Sequence, residues 1–113
     1  MIDFKKIEDI VAGDNDYLHE MLMVYLDEGH KMLQDLEAAL FNNDASGLRL
    51  IVHSQAASAS LLHTYDLQDS LEYCRDLVLT HGGSVEQKKI ALQKSQALFE
   101  DIRKQIRVYL EQV

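Results

Sequence analysis

No proline interrupts the 113 residues, and glycine occurs only at positions 13, 29, 47, 82 and 83. Those two residue types are the strongest helix breakers, and they also supply most turn chemistry for strands. A chain with none of one and few of the other is therefore predicted to form long, uninterrupted helices. The apolar spacing agrees. Phe4, Ile7 and Val11 recur at intervals of three and four, which predicts a short first helix stopping at Gly13. Asp14, Asn15 and Asp16 offer several caps for a second helix over residues 16–42, with Leu18, Leu22, Tyr25, Leu26, Leu33, Leu36 and Leu40 as its stripe. Asn42-Asn43-Asp44 breaks that helix and caps the next.

A third helix is predicted from about Ala45 to Leu62, with Leu48, Ile51, Val52, Ala59 and Leu62 facing one way. After a corner at His63-Thr64, Leu67, Leu71, Cys74 and Val78 mark a fourth helix that ends at His81-Gly82-Gly83. Ser84 and Gln87 fit a capping box, and Ala91, Leu98, Ile102, Ile106, Tyr109 and Val113 stripe the last helix. Four amphipathic helices with short connections pack most economically as an antiparallel four-helix bundle. The expected fold class is therefore all-α: one domain over residues 1–113, with the short N-terminal helix across one end of the bundle. Leu22, Leu26, Leu36, Leu48, Val52, Leu71, Cys74, Leu98 and Ile102 are expected to be buried together.

Nineteen acidic side chains against eleven basic ones leave a formal charge of −8. Phosphate backbones and anionic lipid surfaces would repel such a chain, so neither nucleic acid nor membrane is an expected partner. No apolar stretch reaches the ~20 residues of a membrane span, and the start of the chain lacks a signal-peptide layout. The single cysteine, Cys74, cannot form an internal disulfide. A cytoplasmic location is expected.

On a helical wheel of ~100° per residue with His53 at the origin, Ser46, Arg49, Ala57 and Ser60 fall within roughly 40°, and Leu50 and Ala56 within roughly 60°. The apolar stripe of the third helix lies opposite. His53 is thus predicted to point outward from mid-helix beside alanines and serines, open to another protein's active site. Imidazole suits brief custody of a phosphoryl group. Its ordinary pKa near ~6.5 leaves it mostly neutral, hence nucleophilic, at neutral pH.

Several stretches resemble the histidine phosphotransfer (HPt) domain family. Gly13-Asp14-Asn15-Asp16-Tyr17-Leu18 looks like the opening of that family's long helix. Leu33 to Leu40, followed by Asn43-Asp44, is similar to the approach to its active helix. Leu48 to Ser54 matches the stretch leading into the phosphorylated histidine, and Asp66 to Leu77 looks like the helix that follows. The likeness covers most of the chain and aligns His53 with the phosphorylated residue. It implies a phosphoprotein of two-component signal transduction that relays a phosphoryl group, as phosphohistidine, between receiver-domain aspartates. Such a protein is a carrier rather than an enzyme, needs no cofactor or metal of its own, and is expected to act as a monomer. Its partners would be a response-regulator receiver domain, a hybrid sensor histidine kinase, or both.

After its histidine the family usually carries an apolar residue at +2, lysine at +3 and glycine at +4, whereas this chain has Gln55, Ala56 and Ala57. Ala57 still leaves room for a partner. Ala56 removes a cation that would face the phosphoryl group. Arg49 lies on the same face, but helical side chains lean toward the N-terminus, so it leans away from His53. The expected partner-binding residues are Arg49, Leu50, Ala56, Ala57 and Ser60 around His53. The alternative expectation is a degenerate module that binds a receiver or kinase without carrying phosphate. Asp16-x-x-His19 and Asp27-x-x-His30 imitate half of a carboxylate-histidine metal motif, but both lie on one helix, so no metal site is expected.

Overall fold

Asp3, Asp14, Asp44 and Ser84 each cap the start of a helix in the computed structural model, which describes residues 2–81 and 83–112, with His81 as backbone only. Helix α1 spans Phe4–Ile10, α2 Asn15–Phe41, α3 Ala45–Leu62, α4 Tyr65–His81 and α5 Val85–Glu111; no strand occurs among the described residues. Asp3, Asp14 and Asp44 each accept a hydrogen bond from the backbone N–H three residues on, at 3.1, 3.1 and 2.9 Å. These bonds satisfy amides that the first helical turn leaves without a partner. Ser84 and Gln87 complete the expected capping box at α5, with bonds of 3.1 and 2.8 Å.

The bounds depart from expectation by one to three residues. Asp14, the first of the three offered caps, caps α2, which starts at Asn15 instead of Asp16 and ends at Phe41 instead of Asn42. Helix α1 ends at Ile10, and a turn with Ala12 and Gly13 at positive φ leads on to α2. Gly82 and Val113, expected at the end of α4 and on the stripe of α5, lie outside the described residues.

Helix α2 packs against α3 and α5, and α4 against α3 and α5; α1 touches α2 and α3. Phe4 of α1 also stacks on Tyr109 of α5, with ring centroids 4.2 Å apart. The interior holds eight of the nine expected core residues, together with Leu18, Leu40, Leu62, Phe99 and Ile106. Leu98 is the exception. It is half-buried, and its neighbour Phe99 is buried in its place. The inward row of α5 runs Leu92, Ser95, Phe99, Ile102, Ile106, at steps of three and four. A buried serine in that row hides it from a reading of apolar residues alone. Ser95 bonds Ser70 of α4 at 2.7 Å and lies 3.9 Å from the Cys74 thiol.

Two polar devices hold the remaining elements. His63 ends α3 in the left-handed conformation, and the N–H of Thr64 bonds back to the Ala59 carbonyl at 3.2 Å. Buried Lys88 donates to the Asn43 side chain at 2.6 Å, tying the start of α5 to the turn between α2 and α3.

Candidate functional site

Helix α3 carries a single cationic side chain, Arg49, and a single imidazole, His53, near its midpoint. Leu48, Ile51, Val52, Ala59 and Leu62 are buried, which fixes the rotation of the helix. His53, Arg49, Leu50, Ala56, Ala57 and Ser60 are then all exposed, Leu50 by 68 %. Every residue that the wheel sets beside His53 thus lies on the open side of α3. Side chains no larger than alanine or serine occupy the next two turns of that side at positions 56, 57 and 60, so nothing on α3 rises above the imidazole toward its C-terminal end.

Between this face and α2 runs a groove lined by Tyr25, Lys31, Met32, Leu50, Ile51 and Ser54 among others. Gln55, half-buried, lines the same groove. Glu28 and Asp35 set two carboxylates on its α2 wall against the one ammonium of Lys31. Among the described residues the ion pairs are Arg75 with Asp76 and Arg103 with Glu100, so no counter-charge holds Arg49 or His53.

On the α4 side, a residue outside the sequence reading reaches α3. Gln68 donates its Nε2 to the carbonyl of Val52 at 2.9 Å, while its Oε1 is buried without a partner. The bond spans sixteen residues. A glutamine one position after a stripe leucine carries no periodic signal, so only the packed helices reveal the contact.

Two of the other histidines, His19 and His30, are aromatic neighbours. His19 meets Tyr109 edge-on at 6.0 Å, and His30 meets Phe99 at 5.7 Å. Among the described residues no three His, Cys, Asp or Glu side chains gather as metal ligands would. Cys74 is fully buried, and burial pushes its thiol pKa up, away from the reactive thiolate. Also among the described residues, no helix is long and apolar enough to cross a membrane.

Comparison of the chain with protein-family models, with curated proteins and with solved structures finds no match.

Proposed function

We propose that this chain is a histidine-containing phosphocarrier that relays a phosphoryl group between receiver-domain aspartates in a two-component phosphorelay, with His53 as the carrier residue. The observation that carries the reading is the exposure of His53 at mid-helix beside the small, exposed side chains of Ala56, Ala57 and Ser60. An imidazole nitrogen of His53 attacks the phosphorus of an aspartyl phosphate. The N–P bond forms as the P–O bond to the aspartate breaks, the carboxylate leaves, and the ring's remaining N–H proton can pass to solvent. The reverse step delivers the group to a second receiver. The chain contributes the nucleophile and a docking face of Arg49, Leu50, Ala56, Ala57 and Ser60. The receiver contributes the metal and the catalytic carboxylates, as the resemblance to the HPt family implies.

The accompanying architecture is an antiparallel four-helix bundle of α2 to α5 with α1 across one end, monomeric and cytoplasmic. Its support is the ring of neighbours, α2 with α3, α3 with α4, α4 with α5 and α5 with α2.

A second reading, a binding module that carries no phosphate, draws its support from Ala56, which puts no cation one turn after His53. Incubation with a radiolabelled, phosphorylated receiver separates the two. The carrier reading expects an acid-labile, alkali-stable label that His53→Gln abolishes while helicity and receiver binding persist. Label that survives in His53→Gln, or the absence of label with every receiver and kinase tried, overturns it and leaves the binding module.

A further inference from the structure

Among the described residues, the amide of Gln68 is the one side-chain group of α4 that hydrogen-bonds the backbone of α3, and it does so at the peptide that bears His53. Its Nε2 lies 2.9 Å from the Val52 carbonyl, the oxygen of the Val52–His53 peptide. That oxygen is also the helical acceptor for the N–H of Ala56, four residues on. The amide orientation follows from chemistry: turned over, Oε1 would meet the carbonyl oxygen, acceptor against acceptor.

The arrangement carries a penalty. Oε1 of Gln68 is buried and finds no donor. An apolar side chain of the same length would avoid an orphan acceptor, and buried polar groups left unsatisfied call for an explanation beyond packing.

We infer that Gln68 is a positioning residue for His53, holding the Val52–His53 peptide, and with it the direction of the imidazole, for in-line attack on phosphorus. The inference rests on the reading of His53 as a phosphocarrier. It adds to α3 a control exerted from α4, outside the exposed face that a partner would touch.

Two variants remove the donor and keep the length: Gln68→Met, which also removes the orphan oxygen, and Gln68→Glu, whose carboxylate cannot donate at neutral pH. Phosphoramidate serves as the phosphodonor, since it needs no partner protein. Its P–N bond breaks, ammonia leaves from the protonated amino group, an imidazole N–P bond forms, and the ring proton goes to solvent. Phosphohistidine is followed by 31P NMR and assigned with His53→Gln, the Val52 carbonyl by 13C NMR, and folding by thermal melting. In both variants His53 should be phosphorylated several-fold more slowly with the Val52 carbonyl signal displaced. Gln68→Met should melt no lower than the parent chain. A purely structural glutamine would instead give a lower melting temperature and an unchanged rate, and that result overturns the inference while leaving the phosphocarrier reading intact. If the parent chain acquires no phosphate on His53 from phosphoramidate or from phosphorylated receivers, the phosphocarrier reading falls, and the role of Gln68 falls with it.

Discussion

At His53 the chemistry depends on what stands one turn away on either side. Arg49 and Ala56 are both exposed on the same open side of α3, and only Arg49 is charged. Side chains of a helix lean toward its N-terminus, so position 56 leans toward His53 and position 49 away from it. Ala56→Lys should therefore accelerate transfer or lengthen the life of the phosphorylated form. An ammonium near phosphoryl oxygens, at an effective dielectric near ~20, is worth up to ~4 kcal/mol before screening. Exposure and salt reduce that to ~1 kcal/mol or less, which is still several-fold in rate. The added chain can extend into solvent from this exposed position, leaving the Gln68 bond in place. Arg49→Ala should change the rate little. Transfer assays at two salt concentrations check both, and a collapse in Arg49→Ala with no response in Ala56→Lys would reverse the argument from side-chain direction. This face was legible in the sequence because one helix carries all of it. Gln68 was not, since its partner lies sixteen residues away and two helices must pack before they meet.

The helices themselves were readable because their stop signals are chemical. Asp14, Asp44 and Ser84 cap where the sequence offers oxygen-bearing side chains ahead of apolar periodicity, and α3 has the expected ends. What periodicity misses is a face built from non-apolar members. Ser95 in the inward row of α5 moved the expected burial from Phe99 to Leu98, and Gly29 in α2 gave no hint of its partner. A Cβ on Gly29 would overlap the Phe99 ring. Glycine inside a helix costs up to ~1 kcal/mol relative to alanine, so on propensity alone Gly29→Ala should stabilise α2. Here the contact decides the sign. The ring is buried between α2 and α5 and has little space to retreat, and overpacking of this kind costs ~1–3 kcal/mol. Gly29→Ala is expected to lower the unfolding free energy in urea titration, and Phe99→Leu in the same chain should return part of the loss as a measurable coupling. Equal or greater stability in the single variant would mean that the α2–α5 contact is looser than the geometry here.

Over the whole molecule, the 46 Å length and two 20–21 Å cross-dimensions suit helices of twenty-seven residues, which run ~40 Å at 1.5 Å per residue. So thin a body has few places to bury a titratable group, and burial moves three such groups in the same direction. Burial raises the Tyr25 phenol, with the Thr64 side chain opposing it only weakly. Burial raises the Cys74 thiol, against smaller contributions from Ser95 and its own backbone. Burial and then the nearby Glu8 carboxylate raise Tyr109. Each has a folded pKa above its unfolded value. The stabilisation is therefore complete below the unfolded pKa and is lost as pH rises through the folded one. Unfolded thiols titrate near ~8.5 and phenols near ~10, which places the onset on the alkaline side, first for Cys74 and then for the two tyrosines. Glu100 moves the other way. The hydrogen bond from Arg103 lowers its pKa, so its contribution is present above the ordinary carboxylate range and lost as pH falls through the depressed value. Stability should consequently be level through neutral pH and decline from about pH 9 upward. Urea midpoints measured at half-unit steps from pH 6 to 11 would follow it. Tyr25→Phe removes a buried hydroxyl that has no well-formed hydrogen bond, so it should cost little at pH 7 and make the decline above pH ~10 shallower. Cys74→Ala leaves a small cavity and lowers the whole curve, but its slope between pH ~8.5 and ~10 should also flatten. If parent and variants decline in parallel, self-repulsion of an already anionic chain, rather than the burial of these groups, governs its alkaline unfolding.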